Sequence, residues 1–238
     1  MDNNFIHSQD GYTREISREF FRNVYSYMFG ALGISGIIAY TCGTPEFFTQ
    51  YFLNSTGTGF APVMWIVVFS PIVLGLVIQW GFQRLSMGML LGLFIAYSAL
   101  MGLSLSTIFL VYNLSAIVMT FFVTAGAFGG MAVLGYTTKT DLTKFGSLLY
   151  MLFIGMFIAA IVNMFLGNGM LDFVISVLGV FVFTGLTAYH MQQLKGLSEN
   201  AAISEADRSK LALVGGLQLY ILFVNLFLSL LRLMGGRN

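Results

Sequence analysis

Ionisable side chains are rare in the long apolar stretches of this chain, and His190 is the clearest case. A charged group is costly inside a membrane, so each such side chain is a candidate for function. A histidine without perturbing neighbours changes its charge at about pH 6.5, within the physiological range. His190 shares its apolar stretch, residues 173–193, with Ser176, Thr184 and Thr187. Together they predict a polar stripe on one helix, ending in a group that can respond to pH.

A second polar stripe is predicted near the C-terminus, within residues 211–233. Four polar residues and one leucine recur there at steps of four and three: Gln218, Leu222, Asn225, Ser229 and Arg232. Positions at this spacing share one face of a helix. Such a face is unfavourable against lipid, so we expect it to point into a helix bundle. The two stripes then either flank a water-filled path or hold the bundle together through hydrogen bonds between helices.

Signals for an enzyme are weak. A pair of Ser104 and His190 would provide a nucleophile and a base, but the glycine that follows the serine in a nucleophile elbow is missing. Paired cysteines, paired carboxylates and histidine clusters, which are typical of metal sites, are also missing. The glycine-rich stretches lie inside predicted helices, where they do not form a phosphate-binding loop. The sequence therefore predicts no catalytic, metal-binding or cofactor-binding residue and a protein that is not an enzyme.

The composition indicates an integral membrane protein. Hydrophobic residues make up 57% of the 238 residues and charged residues 9%, whereas a soluble domain has about 25% charged residues. The net charge of +1 provides no field that would attract nucleic acid. A membrane-spanning helix needs about 20 apolar residues. The chain has seven candidate stretches: 24–42, 61–80, 87–109, 115–134, 145–166, 173–193 and 211–233. The fold class is therefore an all-α membrane bundle, with the lipid bilayer as its main partner.

A few residues predict how these helices pack. Pro71, in the middle of the second stretch, removes a backbone hydrogen bond and predicts a kink in that helix. A membrane bundle tolerates this when neighbouring groups satisfy the freed carbonyl group. Small residues four positions apart allow helices to approach closely and predict a tight bundle. Examples are Gly102 and Ser106, Gly126 and Gly130, and Gly155 and Ala159. Asp172 lies at the start of the sixth stretch and is predicted to cap that helix. The connections are short except residues 43–60 and 194–210.

Lysine and arginine residues predict the orientation in the membrane. Nine of the eleven lie on one side if all seven stretches span: Arg14, Arg18, Arg22, Arg84, Lys139, Lys144, Lys195, Arg208 and Lys210. Cytoplasmic loops carry the excess of these residues, so the N-terminal segment 1–19 is predicted to be cytoplasmic. Arg232 and Arg237 then lie outside. The alternative is that the last stretch re-enters the membrane and returns, which would place all eleven inside. The last stretch, residues 211–233, is long enough to span and has no charged residue before Arg232, which favours spanning.

Four runs of residues are distinctive: GLSLSTIFLVY (102–112), TFFVTAGAFGGMAVLGYTTKTDL (120–142), GLTAYHMQQLK (185–195) and LYILFVNLFLSLLRLMG (219–235). They resemble bacterial members of the Bax inhibitor-1 family, also called the transmembrane Bax inhibitor motif family, and the resemblance covers residues 21–236. It implies a bundle of seven transmembrane helices with the last helix central, formed by residues 20–238 in the bacterial inner membrane.

The resemblance also implies a pH-sensitive leak of calcium across the membrane, attributed to two aspartates in motifs similar to TAYD and LYLDFIN. In this chain those two positions are His190 and Leu222. Calcium takes about six to eight oxygen ligands, and a pH sensor made of two coupled carboxyl groups needs both of them. We therefore expect a weak calcium leak, with calcium or protons as the ions concerned.

Two interpretations of the replaced aspartates follow. In the first, His190 replaces the acid pair as a single pH switch, and Leu222 is an apolar plug where relatives place a ligand. The ion path then includes Gln218, Asn225, Ser229, Arg232 and Thr187. In the second, His190 is a neutral, hydrogen-bonded structural residue. The resemblance further implies an alternative function, a non-transporting protein that modulates a membrane-anchored AAA protease or membrane quality control.

Overall fold

The structure is a computed structural model that describes residues 2–54, 59–200 and 202–235, with side chains from Glu15 onward. The only β-type pairing among these residues is an isolated bridge between Leu53 and Phe60. Otherwise they form nine helices: α1 (Asp2–Cys42), α2 (Pro45–Tyr51), α3 (Pro62–Gly81), α4 (Met87–Leu105), α5 (Ile108–Val111), α6 (Leu114–Thr137), α7 (Thr143–Leu166), α8 (Gly169–Glu199) and α9 (Glu205–Met234).

Seven helical segments are long and apolar enough to cross a membrane: α1, α3, α4 together with α5, α6, α7, α8 and α9. The prediction of seven spanning helices is therefore confirmed. The observed helices extend beyond the predicted stretches at two places. The first helix already begins at Asp2, and residues 194–210, predicted as a long connection, are mostly helical because α8 continues to Glu199 and α9 begins at Glu205. The length of an apolar stretch indicates only the part of a helix that lies in hydrocarbon. The flanking Gln, Lys and Glu residues also favour helix, so the helices continue into water.

The connection between α1 and α3 contains the short helix α2. The Thr44 side chain accepts a hydrogen bond from the backbone N–H of Phe47 at 3.2 Å and so caps this helix. Pro45 occupies the first helical position, where its missing N–H group has no partner to lose. Local capping chemistry therefore orders part of residues 43–60, which we predicted only as a connection.

The last helix, α9, is an unbroken helix of 30 residues. The alternative of a re-entrant segment is therefore wrong, because re-entry would require a break in the helix. Of its most apolar 18 residues, 72% are buried inside the protein, against 39% for α8 and 11–28% for the other five spanning segments. The prediction that the last helix is central is confirmed by this difference in burial.

The chain packs as two compact units. Unit 1 contains Met1–Tyr112 and Ser198–Tyr220, and unit 2 contains Asn113–Leu197 and Ile221–Arg237, so α9 contributes one half to each. In unit 1, α4 packs against α1 and α3. The contact with α1 is close at Gly102, where a Cβ atom would come within 2.8 Å of the carbonyl oxygen of Ser35.

Pro71 lies inside α3, and the carbonyl oxygen that it deprives of an N–H donor belongs to Val67. The Ser104 hydroxyl of α4 donates to this oxygen at 3.4 Å, and the Ser70 hydroxyl of α3 does so at 3.5 Å. A neighbouring helix therefore provides a donor for the freed carbonyl group, which is the condition under which a membrane bundle tolerates a proline. Ser104, considered above as a nucleophile, therefore has a structural role in unit 1.

The predicted small-residue contacts are formed only in part. Gly102 packs closely, but a Cβ atom at Gly126, Gly130 or Gly155 would meet nothing within 4 Å in the described part of the chain. Gly126, Gly130 and Gly155 lie on exposed faces of α6 and α7, so the prediction of tight packing at them is wrong. Small residues at this spacing leave room for another helix to approach closely. They do not show whether a neighbouring helix covers that face.

Candidate functional site

His190 lies on α8 and is buried, with 6% of its surface exposed. Its Nε2 atom is hydrogen-bonded to the Tyr150 hydroxyl of α7 at 2.7 Å. The ring centroids of Tyr150 and Tyr189 lie 6.0 and 5.6 Å from the imidazole. A neutral histidine can accept or donate this hydrogen bond, depending on its tautomer, whereas a charged one can only donate, since both ring nitrogens then carry protons. A change of charge at His190 therefore acts directly on the contact between α7 and α8.

Two glycines bring neighbouring helices against the turn of α8 that carries His190. A Cβ atom at Gly135 of α6 would overlap the backbone of Ala188, and one at Gly146 of α7 would overlap the ring of Tyr189. Backbone atoms cannot move aside as the end of a flexible side chain can. The candidate pH-responsive group is therefore held in a closely packed part of unit 2.

Five other polar side chains of the two stripes donate to the backbone of their own helix. Distances of 2.7–2.8 Å to the carbonyl oxygen one turn earlier are found for Ser176, Thr184, Thr187, Asn225 and Ser229. These five side chains therefore donate hydrogen bonds within their own helix and not to a neighbouring helix, unlike the interpretation in which the stripes link helices. Each hydroxyl oxygen keeps a lone pair that can accept a hydrogen bond or contact a cation.

The five positions of the predicted polar face of α9 differ in how far they are covered. Gln218 of unit 1 and Asn225 of unit 2 are half-buried, and Arg232 is exposed, whereas Leu222 and Ser229 between them are 6% and 8% exposed. Elsewhere on α9 several side chains are completely buried: Leu213, Leu217, Leu219, Tyr220 and Leu226. Residual exposure follows Gln218, Ile221, Asn225, Leu228 and Arg232, so it coincides with the predicted polar face only in part.

Leu222 lies in an apolar part of unit 2. The next residue, Phe223, packs edge-on against Phe121 and Phe128 of α6, with ring centroids 5.4 and 5.5 Å apart. In the described part of the chain, no three histidine, cysteine, aspartate or glutamate side chains are placed to hold a metal ion. A calcium ion near these residues would have to use neutral oxygen atoms.

Asp172 is not the cap of α8, and that prediction is wrong. The Asn168 side-chain oxygen caps the helix by accepting hydrogen bonds from the backbone N–H groups of Met170 at 2.9 Å and Leu171 at 3.1 Å. An Asp172 carboxylate oxygen lies instead 3.7 Å from the Arg232 guanidinium, with side chains 31% and 43% exposed. A pair this exposed stabilises by about 0–1 kcal/mol. Its main effect is to place opposite charges at the ends of α8 and α9.

Gln192 of α8 binds the loop between α6 and α7 through both atoms of its side-chain amide. Its oxygen accepts from the backbone N–H of Leu142 at 2.8 Å, and its nitrogen donates to the carbonyl oxygen of Thr140 at 2.8 Å. Nearby, Lys195 donates to the carbonyl oxygen of Tyr136 at 3.0 Å and lies 5.0 Å from the centre of its ring. The loop is therefore attached to the end of the helix that carries His190.

We expect Gln192→Ala to destabilise unit 2 by about 1–3 kcal/mol, because each lost hydrogen bond contributes about 0.5–1.5 kcal/mol. Thermal unfolding in detergent, compared with wild type, measures the effect. The matched control is Gln193→Ala, since Gln193 bonds only within α8, to the hydroxyl of Tyr189. Equal melting temperatures for the two variants would show that the loop contact does not stabilise the protein.

Asp141 lies in the same loop and is the acid nearest to the start of α7. The hydroxyl and backbone N–H of Thr143 hold the pKa of the Asp141 carboxyl below its ordinary value of 3.8. A lowered pKa contributes stability that is present at neutral pH and lost as the pH falls through the folded-state pKa. Asp141 therefore stays ionised from about pH 5.5 to 7.5, the range in which histidines titrate.

Comparison with known proteins agrees with the fold and with the motifs around these residues. The family model described as "Inhibitor of apoptosis-promoting Bax1" matches residues 17–238. The chain is 45% identical over 175 residues to inner membrane protein YbhL of Escherichia coli K12, covering 72% of this chain and 74% of that protein. It is 40% identical over 225 residues to an uncharacterized protein of Borreliella burgdorferi, covering 94% of each. A protein of Caulobacter vibrioides is 39% identical over 224 residues, covering 93% of this chain and 90% of that protein. This multi-pass membrane protein belongs to the Bax inhibitor-1 family.

Proposed function

We propose that this protein is a pH-responsive, channel-like ion-leak protein of the bacterial inner membrane, in which calcium leak is weak. The observation that supports this most is the buried hydrogen bond between His190 and Tyr150, which joins α7 to α8. The name of the Escherichia coli relative places that protein in the inner membrane, and we propose the same location here. The family is not an enzyme family, and the proposed activity is passive.

The pH response follows from the chemistry of the imidazole. Protonation fixes Nε2–H as the donor to Tyr150 and introduces a positive charge beside two tyrosine rings. Water stabilises that charge far better than apolar side chains do. Protons therefore bind more tightly to an arrangement in which water reaches α8, and they shift the population toward it. The hydroxyl oxygens of Thr187 and Ser229, together with Asn225, provide polar contacts along such a path in unit 2.

Weak calcium leak follows from the two replaced positions. His190 has no oxygen ligand to offer, and Leu222 is a buried apolar side chain. The remaining groups on the two stripes are neutral, apart from Arg232, which repels calcium. Calcium prefers several carboxylate or carbonyl oxygens, so the path favours protons or monovalent cations over calcium.

Flux into liposomes tests the proposal. In liposomes that contain the purified protein, we expect cation leak to rise as the pH is lowered from 7.5 to 5.5, and His190→Gln to abolish that rise, because glutamine cannot gain a proton in this range. Monovalent-cation and proton fluxes are followed with entrapped dyes. The control is His7→Gln, which removes the only other histidine and should leave the response intact.

The same liposomes test the calcium part of the proposal. Calcium flux at pH 7.5 is expected to equal that of protein-free liposomes. Strong calcium flux that is lost in Asn225→Leu or Gln218→Leu would show that neutral oxygens suffice, and the proposed selectivity would be wrong. A pH response that survives His190→Gln would show that His190 is a structural residue.

The proposed orientation places the N-terminus in the cytoplasm, and seven spans then place the C-terminus outside. A green fluorescent protein that matures only in the cytoplasm should stay dark when fused after Asn238 and should fluoresce when fused before Met1. The physical basis is the excess of lysine and arginine on the N-terminal side. Fluorescence from the C-terminal fusion would contradict the orientation.

The second candidate function is regulation of a membrane-anchored AAA protease without transport. The buried Leu222 favours it, because an apolar side chain in place of an ion ligand suits a closed bundle. The helix α1 also favours it, since its 41 residues exceed the length of one span and extend on the side proposed to be cytoplasmic. Liposomes that show no ion flux at any pH, but in which the protein changes the rate of a co-reconstituted protease, would support this function over the first.

A further inference from the structure

Tyr220 is a completely buried tyrosine near the middle of α9, in unit 1. Its hydroxyl oxygen is buried and has no hydrogen-bond partner among the described residues. A buried polar group without a partner is unfavourable in water-soluble proteins and in membranes alike, and tyrosine hydroxyls usually find one. Phenylalanine would fill the same space without that cost, so the hydroxyl requires an explanation.

The groups around this hydroxyl are polar. The Ser35 hydroxyl of α1 is near enough to the Tyr220 hydroxyl to act as a weak hydrogen-bond partner, and the Tyr97 hydroxyl of α4 interacts with it electrostatically. Neither contact has the geometry of a full hydrogen bond. The rings of Tyr97 and Tyr220 stand edge-on, with centroids 6.0 Å apart. Tyr97 is 3% and Ser35 2% exposed. Three hydroxyl groups from three helices therefore meet away from bulk solvent.

The donors and acceptors of this cluster are unbalanced. The Ser35 hydroxyl already donates to the carbonyl oxygen of Leu32 at 3.2 Å, which leaves its oxygen as an acceptor. The Tyr220 hydroxyl has a proton to donate. The helices have little freedom to close the gap, because a Cβ atom at Gly102 or Gly216 would already come within 2.8 Å of the backbone of α1. A small ligand that both accepts and donates would satisfy the cluster.

We propose that Tyr220, Tyr97 and Ser35 bind one internal water molecule at the middle of unit 1. The water accepts from the Tyr220 hydroxyl, donates to Ser35 and shares a hydrogen bond with Tyr97. This provides the two to four polar partners, about three in general, that a buried water needs. The site lies in a different unit from His190 and does not depend on ion leak.

The sign of one mutational effect tests the site. If the water is present, Tyr220→Phe removes its anchor and should lower the melting temperature by roughly 2–4 °C. If the hydroxyl is simply unpartnered, the same change should leave the melting temperature unchanged or raise it. Tyr27→Phe is the matched control, because it removes a hydroxyl from a half-buried tyrosine of the same unit. A melting temperature that is not lowered overturns the proposal.

A second measurement separates a water from a direct hydrogen bond between Tyr220 and Ser35, which would also make Tyr220→Phe destabilising. Radiolysis of water labels side chains in contact with bound water even where bulk solvent is excluded. We expect labelling at Tyr220 and Tyr97 in the folded wild-type protein. Phe20, which is 1% exposed in the same unit, should remain unlabelled. Absence of labelling at both tyrosines would overturn the proposal even if Tyr220→Phe is destabilising.

Discussion

Gly135→Val is expected to destabilise unit 2 strongly. A Cβ atom at Gly135 of α6 would overlap the backbone of Ala188 on α8, and valine adds two methyl groups to it. Overpacking of a core typically costs about 1–3 kcal/mol and occasionally more. Here the obstacle is backbone, so we expect a loss of about 3 kcal/mol. Size-exclusion profiles after detergent extraction, together with thermal unfolding, measure the loss of folded protein.

Gly126→Val is the matched control for this change. It introduces the same side chain in the same helix, at a position where a Cβ atom would meet nothing within 4 Å among the described residues. The control should extract and melt like wild type. If both variants fold equally well, α6 and α8 do not approach each other as the structure shows, and the packing around His190 would need another explanation.

The double variant His190→Asp with Leu222→Asp is expected to gain calcium-sensitive leak. The two changes restore carboxyl groups at the positions that correspond to the TAYD and LYLDFIN motifs of relatives. Two carboxylates supply the hard oxygen ligands that calcium requires, and coupled acids titrate as a pair. We expect calcium to change the flux by about tenfold, within the usual range of coupling between two sites. Calcium flux into liposomes across a pH series measures this.

The single variants are the controls for the double one. Neither His190→Asp nor Leu222→Asp alone should reproduce the effect, because coupling needs two acids. Each new aspartate costs up to about 3 kcal/mol of insertion free energy if it lacks a partner, so the amount of folded protein must be measured first. A folded double variant that leaks no more calcium than wild type would show that residues beyond these two decide calcium transport.

The number of spanning helices and the family were predictable from the order of residues along the chain. Each spanning helix must cover hydrocarbon with about 20 apolar residues, and this requirement is local in sequence. The central place of α9 was implied by the family resemblance, and its burial agrees. The sequence indicates that the carbonyl group freed by Pro71 needs a hydrogen-bond donor. It does not indicate that Ser104 is this donor, because that depends on which helix lies beside α3.

The partner of His190 was not predictable, because it depends on the rotation of α7 against α8. Tyr150 shares its stretch with two other polar residues, Ser147 and Asn163. The only signal that pointed to Tyr150 was that a buried tyrosine usually needs a hydrogen-bond partner. The close contacts of Gly135 and Gly146 were not predictable either. Neither glycine has a small residue four positions away, as Gly126 and Gly130 do. Spacing along a helix defines its faces, whereas packing of neighbouring helices selects which face is covered. That selection involves residues far apart in the chain, which is why Asp172 pairs with Arg232 and not with its own helix terminus.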